Sequence, residues 1–288
     1  MSGQSHTVNS TGHSVEGVRE SDVVRLEGES VMRINDSLAI EAPLTVELVI
    51  GDSNHSLGLT MRTPGDDEDL IVGMLYSESI IDGVEDILSV EINSEGATVQ
   101  LSDNVCFDIN EHARSTTKTA ACGVCGKKSL NNLRHFHGPP LSEDIHITRS
   151  IISSNSASSK AAQTMFSKTG GSHAAAAFTE QGQLICIRED VGRHNAMDKL
   201  IGALLRTSGK SPKPHSNNDQ SRTIVHLSGR SSFELVQKAV RAGFPLLSSV
   251  GAASSLAVDL ARENNLSLIA FVRDESMVIH SAPFRVVE

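Results

Sequence analysis

Thr223-Ile224-Val225-His226-Leu227, then Ser228-Gly229-Arg230-Ser231-Ser232, then Phe233-Glu234-Leu235-Val236-Gln237-Lys238-Ala239-Val240: the fold turns on how this stretch is read. Its first residues are mostly apolar and β-branched, as a buried strand requires. Small and hydroxylic residues then close a turn, and an amphipathic pattern over 233–242 reads as a helix. The same alternation extends to both sides. Strand-like runs recur at Ala174-Ala175-Ala176-Ala177-Phe178, Leu184-Ile185-Cys186-Ile187, Pro245-Leu246-Leu247-Ser248-Ser249-Val250 and Leu266-Ser267-Leu268-Ile269-Ala270-Phe271-Val272. Helical patterns lie between them at 195–206 and 254–264, and another covers 154–168. This order predicts an α/β domain over 141–288 whose sheet is at least partly parallel and covered by helices.

The N-terminal half reads differently. Short alternating runs at Val31–Ile34, Leu44–Ile50 and Leu57–Met61 predict strands, with a hairpin turn at Asn54-His55. Acids at 66–69 open a helix through Leu70–Leu75, and strands follow at Ile87–Ile92 and Ala97–Leu101. A small α+β domain over 23–115 results. Residues 1–22, rich in Ser, His, Gly and Glu, read as a disordered tail without the apolar segment of a secretory signal. The polar run 207–222 reads as a flexible insertion. With 288 residues and 39% apolar composition, the chain is long enough to bury a full core. A net charge of −10 argues against non-specific nucleic-acid binding, and no run is long enough to span a bilayer. The cytoplasm is the expected compartment, since four cysteines are too few for a disulfide scaffold.

Two of those cysteines stand in Thr119-Ala120-Ala121-Cys122-Gly123-Val124-Cys125-Gly126-Lys127, in the segment 116–140. A glycine follows each, so no adjacent side chain shields the sulfurs, and Lys118, Lys127 and Lys128 favour thiolate. This composition suits reactive sulfur better than a buried structural pair. Zinc is the competing reading, because His135 and His137 follow the pair and complete four ligand types. No structural metal is predicted. His173 lacks the partner glutamate of the zinc deaminases, and the Cys-x-x-Cys precedes it, which argues against deamination. Cys106 and Cys186 lie in apolar runs and read as inert core residues.

Anion-binding chemistry is expected where strands hand over to helices. Arg188-Glu189-Asp190-Val191-Gly192-Arg193-His194-Asn195-Ala196-Met197-Asp198-Lys199 falls at such a point, with Arg193 and His194 as candidate donors. The structural alternative is a capped, solvated helix start, with Asn195 as N-cap and Asp198 in the first turn. Ser228-Gly229-Arg230-Ser231-Ser232 and Val250-Gly251-Ala252-Ala253-Ser254-Ser255 are further turns of this kind, and Arg273 closes the last clear strand. If the strands are parallel, all of these lie along one sheet edge and outline a site for a phosphorylated ligand.

Several blocks together resemble the formate dehydrogenase accessory sulfurtransferases, the FdhD family. They are Cys122-Gly123-Val124-Cys125-Gly126-Lys127, Gly170-Gly171-Ser172-His173-Ala174-Ala175, the 188–199 block, Ser228–Leu235 and Gly251–Ser255; Glu41-Ala42-Pro43-Leu44 and Thr63-Pro64 agree more loosely. The family pattern has Phe at the Met74 position and Gly at the Ser79 position, where this chain departs from it. The resemblance implies a C-terminal three-layer α/β/α domain like cytidine deaminase, with a smaller N-terminal α+β domain. It implies a cytoplasmic sulfur carrier that takes persulfide sulfur from a cysteine desulfurase. The acceptor would be the molybdenum cofactor, as bis-molybdopterin guanine dinucleotide, before insertion into formate dehydrogenase. Cys122 matches the persulfide carrier and Cys125 an assisting cysteine, both catalytic. Phe271, Val272, Arg273, Asp274, Glu275 and Ser276 match the cofactor-binding segment, to which the turn residues Arg193, His194 and Arg230 add. A homodimer is also implied. The alternative function is a non-catalytic chaperone that binds and docks the same cofactor.

Overall fold

The structure, a computed structural model, describes residues 16–93, 96–105, 117–118, 138–208, 219–274 and 276–288. The C-terminal half is built on a six-stranded sheet: β9 (His173–Phe178), β10 (Leu184–Asp190), β11 (Ile224–Leu227), β12 (Leu246–Ser249), β13 (Ser267–Arg273) and β14 (Ser276–Ile279), ordered β10-β9-β11-β12-β13-β14. β11, β12 and β13 are parallel, whereas β9 is antiparallel to both of its neighbours. β10, β11, β12 and β13 therefore point the same way, and β9 runs against them. On one face lie α4 (Arg193–Ser208), α5 (Phe233–Arg241) and α6 (Ser255–Glu263); they bury Leu200, Leu235 and Leu260 with Val225, Leu247 and Leu268 of the strands. On the other lies α2 (Arg149–Ala162), whose Ile152 packs with Ile224, Leu246 and Ile269. Three layers result. Thr148 starts α2 by accepting a hydrogen bond from the Ile151 amide, and Ser254 starts α6 through the Ala257 amide. The helix expected over 154–168 is broken at Gln163, after which α3 (Thr164–Thr169) begins.

The N-terminal half carries a five-stranded sheet, ordered β5-β6-β3-β4-β7, from β3 (Ala42–Ile50), β4 (Ser53–Arg62), β5 (Ile87–Ile92), β6 (Gly96–Leu101) and β7 (Thr117–Lys118). The β3–β4 turn is Gly51-Asp52, with Gly51 at φ +55, so Asn54-His55 is inside β4 rather than at the turn. Ahead of this sheet, β1 (Val18–Glu27) and β2 (Ser30–Ala39) form a separate hairpin. Residues 18–22, expected to belong to a disordered tail, are therefore strand, because cross-strand pairing supplies backbone partners that the polar sequence does not announce. Residues 1–15 and 209–218 lie outside the described residues; Thr207 and Ser208 complete α4, and Asp219–Arg222 form a 3-10 turn. A short parallel pair, β8 (Ile147–Thr148) with β15 (Val286–Val287), closes the chain's last turn.

One core runs through both halves, from Leu44, Val99 and Leu75 to Leu200 and Leu268. Its hinge is α1 (Asp67–Ser77), which carries apolar side chains nearly all round and is buried accordingly. Gly73 of α1 and Gly202 of α4 let the two helix backbones meet: a Cβ on Gly73 would lie 1.8 Å from the Asp198 carbonyl oxygen, and one on Gly202 1.9 Å from that of Asp69. Ion pairs cross the same seam, Arg188 to Asp69 at 2.7 Å and Arg206 to Glu68 at 2.6 Å. Ser77 Oγ donates at 2.8 Å to Asp198, whose carboxylate also pairs with Lys238 of α5. After α1, Ser79 takes φ +59, which explains why glycine suits that position in the family pattern.

Candidate functional site

Because β10 to β13 point one way and β9 the other, four strand C-termini and the start of β9 share one edge of the sheet. Direct hydrogen bonds stitch this edge together. The Ala174 amide donates to Ser228 Oγ at 2.8 Å, and the Gly251 amide to the Gly229 carbonyl at 2.9 Å. The Phe271 amide donates to the Gly251 carbonyl at 3.2 Å. A Cβ on Gly251 would lie 2.8 Å from both the Gly229 carbonyl oxygen and Arg230 Cγ, so only glycine permits these turns to close. Gly229 stands over the His173 ring at a comparably short range, 3.3 Å from Nδ1 to its hypothetical Cβ. The three βα turns read from the sequence are thus brought side by side.

Three helices begin at this edge, α4 with Arg193, α5 after Ser232 and α6 after Ser254. Ser232 makes no side-chain cap; its hydroxyl lies 3.2 Å from His194 Nε2, and the Glu234 carboxylate is 3.5 Å from the same nitrogen. Burial holds the His173 imidazole below its ordinary pKa, helped by the Arg193 and Arg230 guanidiniums and opposed by Asp190. Arg193 and Arg230 bring two guanidiniums to the edge around His173, and helix N-termini add amide donors. The sequence reading sets His173 aside as a deaminase-like zinc residue and otherwise holds it only within the block Gly170-Gly171-Ser172-His173-Ala174-Ala175. The signal that it lies in the site was its place directly after Gly170-Gly171-Ser172.

At the far end of the edge the chain bulges. Ala270 pairs with Val278 and Arg273 with Ser276, so β13 spends one residue more than β14. Phe271 absorbs it at φ +55, unusual for a bulky residue, and its side chain is 42% exposed. Arg273, Asp274 and Ser276 are exposed at the same turn; Glu275 lies outside the described residues. Val272 corrects the sequence reading of this segment. The bulge returns its side chain to the face of Ile269, where it is 1% exposed in the core and offers a ligand no surface.

The 188–199 block divides between two tasks. Arg193 and His194 face the edge, but Arg188 pairs with Asp69, and Asn195 donates to the Met61 carbonyl and Asp190. Lys199 donates to the Thr63 carbonyl at 2.8 Å and pairs with Asp190 at 2.9 Å. Asn195 is therefore no N-cap; it is the third residue of α4, on the face it shares with Lys199 four residues on. Asp198 is buried against Lys238, not solvated. Half of the block is a seam rather than a site.

Cys186, on β10, is half-buried; burial raises its thiol pKa, and Arg188 Nη1 donates to its sulfur at 3.2 Å. Cys106, Cys122, Cys125, His135 and His137 lie outside the described residues. Among the described residues no three His, Cys, Asp or Glu side chains gather as metal ligands, and no helix is long and apolar enough to cross a membrane.

Comparison with known proteins gives a consistent picture. The family model described as FdhD/NarQ matches residues 39–287. A protein of Streptomyces avermitilis named sulfur carrier protein FdhD is 40% identical over 278 residues, covering 92% of this chain and 94% of its own. One of the same name from Nocardia farcinica is 39% identical, covering 91% and 92%. The crystal structure of a putative formate dehydrogenase accessory protein from Desulfotalea psychrophila superposes with a TM-score of 0.71 at 23% identity, covering 94% of this chain and 99% of that one. At that identity the superposition speaks for the shared fold.

Proposed function

The chain belongs to the FdhD/NarQ family, and from that premise we propose that it is a sulfur carrier serving formate dehydrogenase, with Cys122 as the carrier. The donor is a cysteine desulfurase and the acceptor the molybdenum cofactor in its bis-guanine-dinucleotide form, bound as substrate. In the loading step the Cys122 thiolate attacks the outer sulfur of the donor's persulfide. A new S–S bond forms on Cys122, the donor's S–S bond breaks, and the donor leaves as thiolate. In the delivery step the Cys125 thiolate attacks Cys122 Sγ. The Cys122 persulfide S–S bond breaks as the Cys122–Cys125 S–S bond forms, so oxidation of the two cysteines to a disulfide supplies both electrons; the outer sulfur leaves as sulfide to the acceptor, and a dithiol reductant restores the pair.

The observation that carries this reading is the glycine-closed sheet edge on which Arg193, Arg230 and three helix starts converge beside the bulged Phe271. Pyrophosphate needs such donors. The cysteine segment adjoins described elements at both ends, with Lys118 paired to Thr60 of β4 and Gly138 against the Val240 backbone of α5. Cys186, its thiol partly buried and its pKa raised, is a poor rival carrier. The reading places the protein in the cytoplasm as a homodimer. It is tested by formate dehydrogenase maturation in a strain carrying Cys122→Ala: loss of activity with normal levels of folded carrier is expected, and normal maturation would overturn it.

A further inference from the structure

Among the described residues nothing covers the outer end of the β1–β2 hairpin. Residues 24–33 are all exposed, and Val24, Leu26 and Val31 are 57%, 72% and 70% exposed. Leu26 pairs with Val31 and Val24 with Arg33, so three apolar side chains and one guanidinium share one face of the ribbon. Beyond this cluster the tip carries two carboxylates, Glu27 and Glu29. An isolated two-stranded ribbon is marginal in water, and apolar side chains clustered at its tip need a surface to cover them.

The base of the same hairpin borders a seat that matches this tip. Leu38, Ala39, Ile40 and Val191 give apolar sides to a cavity of about 550 Å³, with Arg19 and Glu41 at its margin and Thr169 and Gly171 on the opposite wall. The walls are held in place, since the Ile40 amide donates to the Gly17 carbonyl at 2.8 Å and a Cβ on Gly171 would lie 3.5 Å from Ala39 Cβ. The charges are complementary, Glu41 to Arg33 and Arg19 to Glu27 and Glu29, and among the described residues none of these five makes an ion pair. At about 3.4 Å per residue, the strand from Arg19 to Leu26 is roughly 24 Å long. The tip therefore cannot fill the cavity of its own chain, whereas a tip from another molecule can. We propose that the hairpin is an exchanged arm, which seats Leu26 and Val31 in the cavity of a second copy and pairs Arg33 with the partner's Glu41. Reciprocal exchange about a two-fold axis fills both seats and closes the assembly at two copies. The inference rests on the reading that the protein is a homodimer and names the surface that joins it.

The test is sedimentation velocity of the full chain over a concentration series, in which wild type is expected to be a dimer. Leu26→Asp with Val31→Asp changes only exposed positions, so the circular dichroism spectrum should be kept while the dimer dissociation constant rises about tenfold or more. Arg33→Glu and Glu41→Arg should each weaken the dimer, and their combination in one chain should restore it. A wild-type monomer at every concentration would sink the homodimer reading and the exchange with it. Unaltered association of the Leu26→Asp, Val31→Asp variant would overturn the exchange alone and leave the homodimer reading standing. Failure of the paired charge reversal to restore association would overturn the Arg33–Glu41 contact, and with it the cavity as the seat.

Discussion

The Lys199 ammonium lies 2.9 Å from the Asp190 carboxylate, and their side chains are 1% and 0% exposed. Asp190 also accepts from the Thr63 and Gly192 amides, at 3.0 and 2.9 Å, so this pair fixes the end of β10, the start of α4 and the end of β4 together. Removing one partner leaves a buried charge without compensation. Lys199→Met should cost about 3–5 kcal/mol in urea unfolding. A loss below about 1 kcal/mol would mean that the seam does not depend on the pair.

The α1–α4 crossing makes a separate claim on stability. Gly202→Ala would drive a methyl group into the Asp69 carbonyl, a backbone atom that has no rotamer to escape by. We expect a loss of about 3 kcal/mol or more, against a slight gain for glycine to alanine in an unobstructed helix. Differential scanning calorimetry of Gly202→Ala checks this, with unchanged stability as the contrary result.

Much of this was legible in the sequence, and what was not has identifiable causes. The strand–turn–helix pattern around Ile224–Leu227 held because local periodicity and burial agree there. The β1–β2 hairpin was partly missed because Val18–Glu27 mixes apolar and charged residues, and only pairing across to Ser30–Ala39 makes it a strand. In the 188–199 block, residue type alone does not separate Arg193, facing the edge, from Arg188, facing Asp69. That division is set by where α1 lies, a tertiary fact. Likewise the exit of Val272 from the site follows from a bulge of one residue that no periodicity announces.

Acid should unfold the protein partly through His226. Burial pushes its pKa down from 6.5 to about 4, while its Nδ1 lies 2.9 Å from Ser248 Oγ. The folded state thus keeps His226 neutral where the unfolded state takes up a proton. Its contribution is present above pH 6.5 and is lost as pH falls through about 4. The shift corresponds to about 3 kcal/mol. Unfolding free energy measured between these limits should fall less steeply for His226→Gln, and equal slopes would contradict the assignment.

The phosphate edge predicts how GDP affinity responds to charge. Arg230→Ala and Arg193→Ala should each weaken it about tenfold, and both should flatten its dependence on salt. Arg273→Ala, at the bulged turn, should also weaken it. Unchanged affinity in any one of these variants would remove that arginine from the site.

The central claim is that Cys122 carries sulfur, and intact mass tests it most directly. The protein is incubated with a cysteine desulfurase and cysteine, with Cys122→Ala in parallel. The account predicts a gain of one or more sulfur atoms in wild type, removed by reductant and absent from the variant. No gain in folded wild type with an active desulfurase would contradict it, and would favour a chaperone that binds the cofactor without carrying sulfur.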